Sequence, residues 1–222
     1  MNSLTEENYL KALFNIANET GEANVNVNEL SRRLQIKMPT VTSMMKRLAE
    51  KKLVHYESYK PLRLTEKGKK EAGLIIRKHR LTEMFLVDKM KIGWEHVHDI
   101  AEQVEHIQSA VFFEKMDELL GHPKVDPHGS PIPDSNGKVV WKDYSKLSDC
   151  KVGETVKLAA VINTSTDFLR FLNSRDMRLG LRIKVRAIEP FDKSMIVSYD
   201  KKQAEVLSNV VCERLLVEKE HS

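Results

Sequence analysis

Apolar residues recur at helical spacing through the first fifty residues of the chain. Residues 5–19 show this spacing, with Thr5 as the candidate N-cap and Gly21 after the last turn. Residues 27–35 and 39–52 predict a second and a third helix, separated by a tight turn of three residues. The pattern therefore predicts a helix-turn-helix.

The segment that follows predicts a β-hairpin. Residues 53–57 and 62–65 are short β-like runs on either side of the sequence SYKP. Three helices followed by a hairpin are typical of a winged helix-turn-helix, which commonly binds DNA. The same arrangement also occurs in domains that bind only protein.

Beyond residue 65 the pattern is first helical and later β. Helical spacing covers residues 65–90, 94–106 and 109–121. The last of these carries an apolar face that we expect to contact the core or a second subunit, comprising Val111, Phe112, Met116, Leu119 and Leu120. The proline-rich residues 122–148 predict an extended segment.

From Cys150 onward, β-like runs surround one helical stretch at residues 166–175. Five or so short strands in this space predict a small SH3-like barrel. The expected fold is mainly α with small β parts, divided into a winged helix at 1–70, a helical domain at 71–140 with an extended linker to about residue 149, and a barrel at 150–222.

Composition excludes several classes of protein. The chain has 222 residues, of which 41% are apolar, and none of its apolar runs approaches the roughly 18 to 20 residues that span a membrane. The acidic, polar start MNSLTEENYL does not resemble a signal peptide, so we expect a cytoplasmic protein with no membrane partner. Cys150 and Cys212, without a CxxC, argue against a disulfide scaffold or a thiolate zinc site.

The net charge of +4 is distributed unevenly along the chain. Residues 1–70 hold 13 Lys and Arg against 8 Asp and Glu, whereas the remaining residues carry a net charge of −1. A basic first third favours a polyanionic partner such as DNA, although a solvated basic face would produce the same count.

Histidines and carboxylates alternate between residues 79 and 106. His79 and Glu83 stand one helical turn apart, and His98 and Glu102 repeat that spacing. Nitrogen and oxygen donors that converge from two helices predict a divalent metal site, although an exposed charged face would also show single pairs of this kind. The chain has no HExxH, glycine-rich phosphate loop or GxSxG, so we do not expect an enzyme.

Three motifs and the winged helix together resemble the diphtheria toxin repressor family of metal-dependent transcriptional repressors. The motifs are RKHRLTEMFL at 77–86, VHDIAEQVEH at 97–106 and DPHGSPIP at 126–133. The resemblance covers nearly the whole chain, including a C-terminal part similar to an SH3-like, FeoA-like domain. It implies a homodimer that binds divalent metal and then a palindromic operator in double-stranded DNA, and so represses metal-homeostasis genes.

The resemblance implies two metal sites per subunit. The residues that match the family's primary site are Asn8, Glu102, Glu105 and His106. Those that match its ancillary site are His79, Glu83 and His98. Further candidates are Asp126, His128 and Asp167.

The primary set indicates which metal is sensed. Iron-responsive members of the family have Met at the position of Asn8 and Cys at that of Glu102, whereas manganese-responsive members have Asp and Glu. This chain follows the manganese branch at Glu102 and departs from both branches at Asn8. We therefore expect Mn²⁺ or Fe²⁺, with Mn²⁺ at least as effective.

The resemblance also assigns residues to DNA. Those that match DNA-facing positions of the recognition helix are Lys37, Pro39, Thr40, Thr42 and Ser43. Arg47 and Lys60 are expected to contact phosphate. Two other functions stay open: a winged-helix regulator with an organic effector and a structural metal or none, and a metal-binding adaptor that recognises protein.

Overall fold

The computed structural model describes residues 2–162 and 164–219. Its contacts divide the chain into two units. The first unit comprises Met1–Thr82, Ala101–Lys124 and Ile132–Val140, and the second comprises Glu83–Ile100, Val125–Pro131 and Trp141–Ser222. Each unit has a hydrophobic core of its own.

The first unit begins with the winged helix-turn-helix that the sequence predicts. Its helices are α1 (Leu4–Thr20), α2 (Val27–Leu34) and α3 (Met38–Glu50). The wing is an antiparallel pair of strands, β1 (Val54–His55) and β2 (Arg63–Leu64). Apolar side chains of all three helices and both strands form its buried core.

The N-cap of α1 is Ser3, so the prediction of Thr5 was wrong. The Ser3 hydroxyl accepts a hydrogen bond from the Glu6 amide, and the Glu6 carboxylate accepts one from the Ser3 amide at 2.7 Å. This capping box satisfies two amides at once, which Thr5 inside the first turn cannot do. Gly21 closes the helix with a φ of 70°, as expected.

Glu6 also joins α1 to α3. Its buried carboxylate lies 2.9 Å from the Arg47 Nε atom and 2.8 Å from the Lys51 Nζ atom. Burial alone would raise the pKa of Glu6, but the hydrogen bond from Lys51 and the Ser3 amide lower it below the ordinary value. Glu6 therefore stays ionised at neutral pH and holds α3 against α1.

Three further helices follow the wing. They are α4 (Glu66–Asp88), α5 (His98–Val104) and α6 (Ala110–Leu119). The prediction that residues 94–106 are helical was wrong in its first turn, because the His96 amide donates to the Gly93 carbonyl in a turn. Trp94 in that turn packs against the core of the second unit and donates to Asn173, which gives it a tertiary role.

The apolar face of α6 is only partly buried. Phe113 and Met116 point into the first unit, whereas Val111, Phe112 and Leu119 are exposed. The predicted face therefore divides into a buried side and an exposed side. The exposed side is available for contact with a second subunit.

The second unit contains a six-stranded antiparallel sheet in the order β3-β8-β4-β5-β6-β7. Its strands are β3 (Ser145–Lys146), β4 (Thr155–Val161), β5 (Arg182–Ile188), β6 (Met195–Tyr199), β7 (Lys202–Leu207) and β8 (Leu215–Lys219). Helix α7 (Thr166–Asn173) lies where the sequence predicts it, and a short 3-10 helix (Leu147–Asp149) follows β3.

Two details of the sheet differ from the sequence prediction. The sheet begins with β3, before Cys150, and the last predicted run is divided by α8 (Asn209–Cys212). The Ser208 side chain accepts from the Val211 amide, so a local cap starts this helix inside a β-like sequence. Cys150 and Cys212 are buried free thiols.

A turn at Gly129 joins the proline-rich segment to the sheet of the second unit. Gly129 has a φ of +89°, and a Cβ atom there would lie 2.2 Å from the Ala159 carbonyl oxygen. The His128 carbonyl next to it accepts from the Val161 amide on β4. Only glycine fits this close approach of the backbone to β4.

Within residues 2–162 and 164–219, every helix is too short or too polar to span a membrane.

Candidate metal centre

The first unit brings α1 against the C-terminal half of α5. The Lys11 Nζ atom lies 2.6 Å from the Glu102 Oε1 atom and 2.6 Å from the Glu105 Oε1 atom. Glu105 is fully buried, whereas Glu102 is partly exposed. One ammonium group therefore holds two predicted ligands of the primary site together.

His79 reaches the same carboxylates. Its Nδ1 atom lies 2.6 Å from the Glu105 Oε2 atom and 3.8 Å from the Glu102 Oε1 atom. One ligand atom from each of these three residues lies within 4.8 Å of the others. His79 was predicted in the ancillary set, so its contact with the primary set is a property of the tertiary structure.

His106 is oriented by a carboxylate that the sequence analysis did not single out. Its Nδ1 atom lies 2.6 Å from the Glu7 Oε2 atom, and its Nε2 atom lies 3.6 Å from the Glu105 Oε1 atom. If Nδ1 carries the proton and donates to Glu7, the Nε2 lone pair faces the carboxylates. A carboxylate behind a histidine is the usual means of orienting a metal-binding imidazole.

Asn8 stands between Glu7 and Lys11 on α1. Its Oδ1 atom is buried and has no hydrogen-bond partner within the described part of the chain. A buried amide oxygen without a donor costs free energy unless a cation or another donor satisfies it. This atom therefore fits the predicted role of Asn8 as a neutral oxygen ligand.

The donors of this cluster fit a divalent cation of intermediate hardness. They are carboxylate and amide oxygens and imidazole nitrogens, from Asn8, His79, Glu102, Glu105 and His106. Such donors suit Mn²⁺ and Fe²⁺, and the cluster contains no thiolate or thioether that would favour softer metals. The residues therefore fit the metal that the sequence predicts.

A second cluster lies within the second unit. Glu83, Asp126 and His128 are all buried, and one ligand atom from each lies within 4.8 Å of the others. The His128 Nε2 atom is 3.0 Å from the Trp94 carbonyl oxygen, and its Nδ1 atom is 3.7 Å from the Glu83 Oε2 atom. The structure thus joins two of the lower-ranked candidates to Glu83.

Charge and burial oppose each other at His128. Burial would lower the pKa of His128, but the hydrogen bond with Glu83 and the negative charge of Asp126 raise it above the ordinary value. Asp126 also has a structural task, because its Oδ1 atom accepts from the His128 and Ser130 amides.

The two remaining candidates, His98 and Asp167, are more exposed than the residues of this cluster. The His98 Nδ1 atom is 3.4 Å from the Glu83 Oε1 atom, and the His98 side chain is 49% exposed. Asp167 lies exposed in the first turn of α7, and the clusters found among the described residues do not include it. The preceding Thr164 lines a groove with Glu95 and His98.

The predicted DNA contacts lie on α3 and the wing. Lys37, Pro39, Thr40 and Ser43 are exposed and Thr42 is partly buried. Arg47 is paired with Glu6, and Lys60 with Glu57 at 2.8 Å. Tyr59 beside Lys60 is fully exposed at the tip of the wing with a φ of 65°.

Three family models match consecutive parts of the chain. The iron-dependent repressor N-terminal DNA-binding domain matches residues 1–62, its metal-binding and dimerisation domain matches 65–134, and the FeoA domain matches 145–219. A manganese-dependent transcriptional repressor, solved in complex with manganese, is 30% identical; the similarity covers 97% of this chain and 100% of that chain, with a TM-score of 0.85. The chain belongs to the iron-dependent repressor family.

Relatives in this family include both iron-dependent and manganese-dependent repressors. IdeR of Mycobacterium tuberculosis, an iron-dependent repressor, is 35% identical over 135 residues, which are 60% of this chain and 58% of IdeR. The diphtheria toxin repressor of Corynebacterium diphtheriae is 25% identical over 216 residues, 93% of each chain. The chain thus matches only 58% of the length of IdeR.

Family membership supports the predicted fold, and the structure shows two residues with site contacts that the sequence analysis missed. Glu7 and Lys11 flank Asn8 on α1, one helical turn apart, and both reach the metal-binding region of this repressor-family chain. The spacing was visible in the sequence, since residues separated by four share a helix face. The identity of their partners was not.

Proposed function

We propose that this chain is a metal-dependent DNA-binding transcriptional repressor that senses Mn²⁺, Fe²⁺ or both and controls metal-homeostasis genes. One observation carries the proposal. In the first unit, the helix with the buried, unpartnered Asn8 oxygen contacts Glu102, Glu105 and His106, and the same helix packs into a winged helix. Metal ligands and the DNA-binding fold therefore share α1.

In this proposal the primary metal is held by Asn8, Glu102, Glu105 and His106. A bound divalent cation supplies positive charge that compensates the two carboxylates and satisfies the Asn8 oxygen. Glu7 orients His106, and Glu6 anchors α1 to the recognition helix. Metal binding thus favours the conformation in which α3 has one fixed position relative to α5 and α6. The population of chains shifts toward that conformation.

We propose a second, ancillary site around Glu83. Asp126 and His128 surround this carboxylate in the second unit, and His98 lies 3.4 Å from it. His79, the other predicted ancillary ligand, stands one turn before Glu83 on α4. Asp167 is retained as a weaker candidate from the sequence resemblance alone.

The proposed molecular unit is a homodimer on a palindromic operator. The exposed side of α6 and the family's dimerisation domain support self-association. Two recognition helices related by a twofold axis read half-sites one or more turns apart, about 34 Å per turn. Such a regulator acts on cytoplasmic DNA and needs no enzymatic activity.

The proposed domains are the winged helix at residues 1–70, the helical domain at 71–140 with its linker to about residue 149, and the barrel at 150–222.

The proposal is tested by binding of the full chain to DNA from its own upstream region. Under anaerobic conditions, fluorescence anisotropy is measured with Mn²⁺, with Fe²⁺ and with chelator. We expect tight binding with either metal, Mn²⁺ at least as effective as Fe²⁺, and loss of specific binding with chelator, because the proposed ligands include no sulfur. Specific binding that is the same with and without metal would contradict the proposal and favour an organic effector.

Lys60 gives a separate test of the DNA-binding surface. Its side chain is 64% exposed at the wing and forms an ion pair with the similarly exposed Glu57. Lys60→Gln is expected to weaken binding to all DNA sequences alike and to reduce the salt dependence by about one unit of slope, because a phosphate contact releases a counterion. The measurement is the operator affinity as a function of salt concentration, from about 50 to about 200 mM, where the loss of a single phosphate contact changes the slope. A loss confined to one base position would contradict the assignment.

A further inference from the structure

We propose that Lys11 is a built-in competitor of the metal, which sets the metal concentration at which the repressor responds. The inference rests on the proposed primary site and adds a residue that regulates it. Its basis is that the Lys11 ammonium contacts both Glu102 and Glu105 at 2.6 Å, through the Oε1 atom of each. These two carboxylates are the only charged oxygen ligands in the proposed primary set.

A divalent cation and the Lys11 ammonium cannot share these oxygens. Ligand oxygens lie about 2 Å from a small divalent cation, so a cation on the same two atoms would stand a few ångströms from Nζ. Like charges at that separation repel strongly in a partly buried site. Metal binding therefore requires Lys11 to release Glu102 and Glu105.

The surroundings of Lys11 permit this release. The Lys11 side chain is 13% exposed, so it is largely packed but not sealed from solvent. Lysine carries its charge on a flexible chain of four carbons, and the freed ammonium can be hydrated. Glu105 has a second partner in His79, which keeps its other oxygen, Oε2, in place.

The competition is intramolecular, so it does not depend on the concentration of any other cation. The cost of breaking two charge-assisted hydrogen bonds is subtracted from the metal-binding free energy. Asn8 also lowers the metal affinity, because its neutral amide stands where a carboxylate would add a negative charge. Together they reduce the affinity of the site without removing a ligand.

The test measures Mn²⁺ binding to the full chain without DNA, by the electron paramagnetic resonance signal of free Mn²⁺. Lys11→Met keeps the length of the stem and removes the charge. We expect it to bind Mn²⁺ about tenfold more tightly than the native chain or better, from the usual net strength of hydrogen bonds to charged groups. Lys11→Arg keeps the charge and is expected to stay closer to the native affinity.

The matched control is Lys69→Met, which removes an exposed lysine that pairs with Glu66 at 2.7 Å on α4. Its affinity for Mn²⁺ is expected to stay within about twofold of the native value, since an exposed pair contributes little. A second readout is thermal stability: the rise in Tm on adding Mn²⁺ is expected to be larger for Lys11→Met than for the native chain. If Lys11→Met does not fold, Lys11→Gln gives the same test with a polar end.

Each outcome separates this inference from the proposed function. Equal or weaker Mn²⁺ binding by folded Lys11→Met, with native binding that Glu105→Gln removes, overturns the inference and leaves the metal site standing. Native Mn²⁺ binding that is absent, or that Glu105→Gln leaves unchanged, refutes the proposed primary site and with it the role of Lys11.

Discussion

Glu105→Gln is expected to abolish metal-dependent operator binding while leaving the chain folded. Glu105 is fully buried and contacts Lys11 and His79, and it is also close to the His106 Nε2 atom. Glutamine has nearly the same shape but no negative charge, so it keeps the packing and removes a charged ligand. Loss of a residue that only supports a metal ligand typically lowers metal affinity by about 10- to 100-fold. Because Glu105 is proposed as a direct ligand, we expect its loss to lower the Mn²⁺ affinity by about 100-fold or more.

The measurements are Mn²⁺ binding and operator anisotropy at one fixed metal concentration. The matched control is Glu19→Gln, which removes an exposed carboxylate near the end of α1 that pairs with Arg33. This control is expected to retain both activities, because exposed pairs contribute little. If Glu105→Gln bound operator as the native chain does at that concentration, the primary site would have to lie elsewhere.

Leu119→Asp is expected to convert the dimer into a monomer and to remove operator binding with it. Leu119 is 62% exposed on α6, on the same exposed side as Val111 and Phe112. An apolar side chain buried at an interface contributes about 1.5 to 3 kcal/mol, and twofold symmetry applies each substitution twice. The dimer dissociation constant is therefore expected to rise by about 100-fold or more.

Sedimentation velocity across a protein dilution series measures this change, and operator affinity is measured in parallel. Val206→Asp is the control, because Val206 is 60% exposed on β7 of the second unit and has no part in the proposed interface. We expect that control to remain a dimer. A Leu119→Asp chain that is still dimeric at the native concentration would show that the exposed side of α6 is not the interface.

The local patterns of the sequence were sufficient for most elements. The helices of the winged domain, its wing, α4, α6 and α7 all follow from apolar spacing and turn residues within a few positions. The exceptions are places where a short-range cap or a distant contact overrides the pattern. Ser208 caps α8 inside a β-like run. Trp94 lies outside the predicted helix because its side chain packs against the core of the second unit.

The residue types of the candidate ligands were also determined by the sequence. Histidine, glutamate and asparagine at these positions select nitrogen and oxygen coordination, whatever the exact geometry. The family motifs, rather than spacing alone, assigned Asn8 to the set formed by Glu102, Glu105 and His106. Within that set, ligand atoms of Glu102 and Glu105 lie within 4.8 Å of each other, the His106 Nε2 atom lies 3.6 Å from Glu105, and the Asn8 oxygen is buried.

Only the tertiary structure determined which charges surround those ligands. Lys11 meets Glu102 and Glu105 across 91 and 94 positions of the chain, and Glu7 meets His106 across 99. No local pattern specifies such pairs, because they depend on how α1 packs against α5. The sequence by itself thus determined the fold class and the kind of metal ligand. Packing decided which lysine contacts the candidate ligands Glu102 and Glu105 and which carboxylate contacts the candidate ligand His106, since electrostatic interactions act through space and not along the chain.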